Sequence, residues 1–146
     1  MTSTDDDLRA RRDKLVREHM DSENAFDFDT TLRTFDHPRY EIIATGQVIE
    51  GAADVLTYYE QTRAAFPDWH SEVVALHHAD EAVIVEFTLR GTHQGSMFGE
   101  TPSNRSFTAQ MAAFFLFEGD RLVCERTYQD MATILNQLGL SGADIA

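Results

Sequence analysis

Val83-Ile84-Val85-Glu86-Phe87-Thr88-Leu89-Arg90-Gly91-Thr92-His93 decides the fold. Val83, Val85, Phe87, Leu89, Gly91 and His93 share one face, and Ile84, Glu86, Thr88, Arg90 and Thr92 share the other. A period of two over so many residues predicts a long strand with one buried face. Downstream, residues 95–105 carry two glycines and a proline and read as a loop. Phe107, Ala109, Met111, Ala113, Phe115 and Phe117 then alternate with Thr108, Gln110, Ala112, Phe114 and Leu116, which predicts a strand apolar on both sides. Glu118-Gly119-Asp120-Arg121 turns the chain into a strand over Leu122–Gln129. Asp130 is placed to N-cap a last short helix carrying Met131, Ile134, Leu135 and Leu138. Upstream of Val83, Trp69–His78 alternates and Ala79-Asp80-Glu81 turns.

Before Asp68 the period is helical. Leu8, Leu15, Val16, His19 and Met20 recur on one face of a first helix, and Asp27 opens a short second helix with Phe28, Leu32 and Phe35 in line. Tyr40–Thr45 and Gln47–Glu50 flank Gly46 as a small hairpin. A third helix runs from Gly51, with Val55, Tyr58, Tyr59, Thr62 and Phe66 on its stripe and Pro67 as its stop. Helices followed by a long antiparallel meander predict a single α+β domain over residues 1–146, with a core of about 5–140 and a mobile tail at 141–146. Ala112, Phe114 and Leu116, facing away from the helices, need a second cover, so a homodimer through the outer sheet face is expected.

Composition narrows the function classes. Twelve bases against 25 acids leave a formal net charge of −13 on 146 residues, which disfavours nucleic acid and anionic membrane surfaces as partners. Asp5-Asp6-Asp7 suits the start of a helix rather than a cation site. Cys124 is the sole cysteine and Lys14 the sole lysine, so neither a thiolate cluster nor Schiff-base chemistry is expected. The first 20 residues are too polar for a signal peptide, and no apolar run spans a bilayer; a soluble, cytoplasmic protein is expected. His77 and His78 point to opposite faces of a strand and cannot share an ion with His70 unaided, so no metal site is expected.

The order of elements resembles the SnoaL-like polyketide cyclases of the nuclear-transport-factor-like superfamily. The residues that carry the likeness are His37-Pro38-Arg39-Tyr40, the helix ending at Phe66-Pro67-Asp68, Gly91-Thr92-His93-Gln94-Gly95 and Tyr128-Gln129-Asp130…Gln137-Leu138-Gly139. The resemblance implies a cone-shaped, mainly antiparallel α+β barrel with helices over its concave face. It also implies a cofactor-independent reaction of the aldol type on a small, mostly apolar carbonyl or polycyclic compound. Laid on this chain, that family's acid/base aspartate and its partner histidine fall at Thr127 and Ala113, neither of which titrates near neutrality. Two readings follow. One is a cyclase- or isomerase-type enzyme moving a proton through His93 or Asp130, with Tyr58, Trp69, Phe87, Met111, Ala113, Phe115, Thr127 and Tyr128 lining the ligand site. The other is a non-catalytic module that holds such a ligand. Tyr128 and Arg126 share a parity with Asp130, a spacing that also suits binding an enolate-like oxygen.

Overall fold

The computed structural model describes residues 3–97 and 99–140. In chain order it contains α1 (Ser3–Asn24), α2 (Phe28–Arg33), β1 (Arg39–Ile42), β2 (Gln47–Glu50), α3 (Ala52–Ala65), β3 (His70–His78), β4 (Ala82–Thr92), β5 (Ser106–Glu118), β6 (Arg121–Gln129) and α4 (Met131–Leu138). The expected tail at 141–146 lies outside the described residues. Asp27 and Asp130 cap α2 and α4 through their carboxylates, which accept from the backbone N–H of Thr30 and Thr133. Both places are those at which the sequence puts a helix start.

One six-stranded sheet has the order β2-β1-β6-β5-β4-β3. Every neighbouring pair is antiparallel except β1 with β6, which is parallel. The sheet is the expected curved cone, and it is not closed into a barrel: β2 and β3 are its two edges. Helices rather than further strands fill the concavity. Val16 and Met20 of α1, Val55 and Tyr59 of α3, and Ile134 and Leu138 of α4 join Val83, Val85, Phe107, Met111 and Phe115 in one buried cluster.

Two irregularities position what lies inside. β5 and β6 shift register between Leu116 and Phe117, where Phe117 pairs with Leu122 and Leu116 with Cys124. Val123 is thereby left over as a bulge, and the parity of β6 reverses after it. Glu125, Thr127 and Gln129 consequently oppose Phe115, Ala113 and Met111 on the inner face. Gly95 forms the second irregularity. The backbone N–H groups of Gln94 and Gly95 both donate to the Ala65 carbonyl at 3.0 Å, and a Cβ at residue 95 would collide with the Ala64 carbonyl oxygen. Only glycine lets the loop press this closely against the end of α3.

Candidate functional site

Two connected chambers open inside the cone. The outer one, about 440 Å³, is lined by apolar groups from every layer, among them Ile42, Phe66, Leu89, Phe107, Met131 and Ile134, with Thr45, Gln47 and Ser96 adding polar groups. The inner one holds about 30 Å³ and is walled by Met20, Glu23, Arg63, Phe87, Met111, Ala113, Phe115, Glu125 and Thr127. Tyr58, Trp69, Leu89 and Gln129 border both. The outer volume falls within the ~300–1,000 Å³ usual for small-molecule sites, and the inner one has room for one or two oxygen-sized atoms.

The inner end is built on a buried ionic network. His19 lies on the apolar stripe of α1 and is fully buried. Its Nδ1 is 2.8 Å from Thr34 Oγ1, whose own proton goes to the Thr31 carbonyl at 2.6 Å. The Thr34 oxygen must therefore accept, and Nδ1 carries a proton. Nε2 faces Glu23 Oε1 at 2.7 Å, Glu125 Oε1 at 2.8 Å and the Tyr40 hydroxyl at 3.0 Å. An unprotonated Nε2 would aim its lone pair at two carboxylates, so the geometry calls for an imidazolium or for a protonated glutamate beside it. The Tyr40 hydroxyl lies 3.0 Å from Glu23 Oε1 and 2.9 Å from Glu125 Oε1, and accepts from the Tyr59 hydroxyl at 2.9 Å.

Arg63 completes the network. Its guanidinium donates to Glu23 Oε2 at 3.1 Å and to Thr62 Oγ1 at 2.9 Å. It lies over the Trp69 ring, 4.4 Å from the centroid, with Phe28 on a further side at 5.4 Å. Stacking of this kind suits arginine, whose delocalised charge is weakly hydrated.

Environment sets these groups apart. Burial alone would push the His19 imidazolium toward neutrality, but hydrogen bonds from it to Glu125 and Glu23 outweigh that and raise its pKa to about 9. Burial likewise opposes the Glu23 charge, and the bonds from His19 and the charge of Arg63 hold that carboxylate down to about 2. Glu125 moves the other way: burial raises its pKa, and the negative charge of Glu23 adds to the rise against the pull of His19. Two carboxylates on one imidazolium thus divide into a permanent anion and a carboxyl that holds its proton more readily. Tyr58, half-buried at the junction of the chambers, is pushed up to about 12 by desolvation and stays a neutral phenol.

His19, Glu23 and Glu125 also form a grouping whose ligand atoms all lie within 4.8 Å of one another. Spacings of 2.7–2.8 Å from Nε2 to the carboxylate oxygens are those of a shared proton. A cation could take that place only by displacing it.

Of the residues named from sequence, Tyr58 and Trp69 border both chambers, and Phe87, Met111, Ala113, Phe115 and Thr127 line the inner one. Tyr128 is exposed, on the outer face beside Phe114 with ring centroids 5.5 Å apart. His93 is fully buried but belongs to neither chamber's lining. Its Nδ1 accepts from the Ser103 backbone N–H at 3.1 Å, its backbone N–H donates to the Arg105 carbonyl, and it so ties the 95–105 loop to the end of β4. Asp130 is an exposed cap on Thr133, whose side-chain and backbone hydrogen bonds lower its pKa. Arg126 pairs with Glu41. His77 pairs with Glu86 at 2.9 Å, and His78 lies 3.7 Å from Asp13. The residues the sequence reading missed are His19 as a charged group, Glu23, Tyr40, Arg63 and Glu125. Two signals pointed to them: Glu23 follows His19 by one helical turn on an apolar stripe, and Glu125 shares strand parity with Thr127.

An open cone of curved sheet, helices in its mouth and an apolar cavity between them define the nuclear-transport-factor-like class of α+β folds. Residues 14–138 match the family described as SnoaL-like polyketide cyclase, and the chain belongs to that family. No curated protein matches it in sequence. Solved structures share its fold at low identity. TsrD from Streptomyces laurentii is 20% identical with a TM-score of 0.78, over 91% of this chain and 98% of its own. Wild-type IdmH from Streptomyces antibioticus is 24% identical with a TM-score of 0.72, over 88% and 99%. A protein of ketosteroid isomerase-like fold from Catenulispora acidiphila, solved with trimethylamine, is 18% identical with a TM-score of 0.74, over 87% and 93%. Among the described residues no helix is long and apolar enough to cross a membrane.

Proposed function

We propose that the protein binds a small, mostly apolar carbonyl or polycyclic compound in the outer chamber and moves a proton to or from it with Glu125. The observation that carries this reading is the placement of Glu125: a buried carboxyl with a raised pKa, in the wall of the inner chamber, at the end of an apolar cavity. As a carboxylate it can take a proton from the carbon next to a carbonyl; as the acid it can return one. His19 and Glu23 act through Glu125. The imidazolium offsets the negative charge when Glu125 is ionised, and Glu23 keeps the imidazolium charged. Thr127 donates to Glu125 Oε2 at 3.3 Å and orients the carboxyl. In this role Glu125 takes over from the family's aspartate, whose place is Thr127 in this chain, one inward position earlier on the same strand.

The test is deuterium exchange of the α-protons of β-tetralone in heavy water, followed by NMR. Glu125→Gln keeps the shape and should lower the enzyme-dependent rate by roughly 10²- to 10⁴-fold while the affinity for β-tetralone stays within a few-fold. Equal rates for the variant and the parent protein would remove Glu125 from the chemistry. Binding without exchange in the parent protein would favour the second reading, a non-catalytic binding module, which the absence of titratable groups at Ala113 and Thr127 motivates. We also propose that Phe114 and Leu116, half-buried on the outer face, pair with a second copy of the chain.

A further inference from the structure

We infer that Arg63 and Trp69 form a binding subsite for a ligand oxygen that accepts hydrogen bonds, so that the ligand enters oxygen first. This rests on the reading that the chambers hold a small organic ligand, and it adds which end of that ligand is recognised and by what. Arg63 Nε and Trp69 Nε1 are both buried and have no hydrogen-bond partner. Buried polar groups are nearly always paired, so two orphans on adjoining residues of one cavity require an explanation. Both are N–H donors with no acceptor capacity, and what satisfies them must be an acceptor.

The surroundings define that acceptor further. Arg63 and Trp69 both wall the inner chamber, whose 30 Å³ admits an oxygen but no ring, while Trp69 also borders the 440 Å³ chamber where the rings would lie. Elsewhere on the Arg63 side chain Nη1 donates to Thr62, Nη2 donates to Glu23, and the guanidinium lies over Trp69. Nε is the one guanidinium nitrogen with no partner. The arginine is 5% exposed, so its hydrogen bond would be made out of water. Arg63 and His19 bring two positive charges against Glu23, and with Glu125 protonated the cluster carries a net charge of +1. An oxygen that gains negative charge as an α-proton leaves is then favoured over a neutral hydroxyl or an amine. The substrate class is therefore a ketone able to form an enolate, or a phenol that ionises, carried on an apolar ring system. Proton balance is simple: a proton leaves carbon for Glu125, the electron pair moves to oxygen, and Arg63 and Trp69 meet the charge there.

Trp69 is the only tryptophan in the chain, so heteronuclear NMR of nitrogen-labelled protein shows one indole N–H resonance and reads the subsite directly in the unaltered protein. β-Tetralone should move that resonance downfield, whereas tetralin, the same ring system without the oxygen, should not. β-Tetralone should also bind about tenfold more tightly than tetralin, the size of one net hydrogen bond to a buried donor. Trp69→Phe, and independently Arg63→Lys, should bring that preference, read as the ratio of the two affinities within each variant, to within about twofold. Tetralin shifting the indole resonance as β-tetralone does, or binding equally well, would overturn the subsite and leave the apolar cavity standing. Binding of neither compound would overturn both. Discrimination that persists without deuterium exchange would uphold the subsite and reject only the proton-transfer role of Glu125.

Discussion

His19→Asn should remove a pH dependence of stability that the unaltered protein possesses. In the fold the imidazolium is held by Glu125 and Glu23 with a pKa of about 9, against an ordinary value of 6.5. A group whose pKa is higher folded than unfolded binds protons more tightly in the native state. Its contribution is therefore complete below the unfolded value and disappears as pH rises through the folded one. The difference in pKa corresponds to roughly 3 kcal/mol below pH ~6.5, falling to about half of that near pH 8 and to almost nothing above pH ~9.5. The side chain is fully buried, so solvent screening takes little from this. Glu23 reports the same contact from the other side, and its depressed pKa is not a second contribution. Urea unfolding at pH 6, 8 and 9.5, followed by far-UV circular dichroism, measures the effect. The parent protein should lose roughly 3 kcal/mol across that window and His19→Asn should lose little. Equal slopes for the two proteins, or a parent stability flat from pH 6 to 9.5, would refute the charged network.

Arg12 is a buried guanidinium whose Nε and Nη1 donate to the Gly119 carbonyl at 2.8 Å and the Asp80 carbonyl at 2.9 Å, tying α1 to two β-turns. Arg12→Ala should cost about 2–3 kcal/mol in urea unfolding, because both carbonyls lose a charged donor. Gly95→Ala should lower the Tm by several degrees through its collision with the backbone at Ala64, a loss of at least about 1–3 kcal/mol. Phe114→Asp should convert the proposed dimer to a monomer by light scattering at micromolar concentration without lowering exchange activity; a parent protein that is already monomeric would contradict the outer-face pairing.

The fold was legible because it is written in periodicities. A switch from helical spacing to strict alternation at Asp68, with turns at Ala79–Glu81 and Glu118–Arg121, leaves few topologies other than a meander under helices. The site was only half legible. Strand parity puts Met111, Ala113 and Phe115 on one face, and all three wall the inner chamber. The ionic network was hidden for two physical reasons. Glu23 and Arg63 sit in helices rich in exposed charges, and composition does not tell a buried charge from a solvated one. The Val123 bulge reverses parity within β6, so counting in twos from Leu122 puts Cys124, Arg126 and Tyr128 inside and Glu125 outside, the opposite of what the register shows. His93 ends the inward face of the alternating strand in the sequence, but its imidazole accepts a backbone N–H from the 95–105 loop and packs against the ring of Phe66.

A crystal structure of the protein soaked with β-tetralone tests the central claim most directly, since it locates the ligand relative to Glu125. The expected result is a ring system in the outer chamber among Ile42, Leu89, Phe107 and Ile134, its oxygen in the inner chamber within hydrogen-bond distance of Arg63 Nε and Trp69 Nε1, and its α-carbon facing the Glu125 carboxyl. A ligand seated with its oxygen toward Thr45 and Ser96 at the opposite end, or bound outside both chambers, would contradict it.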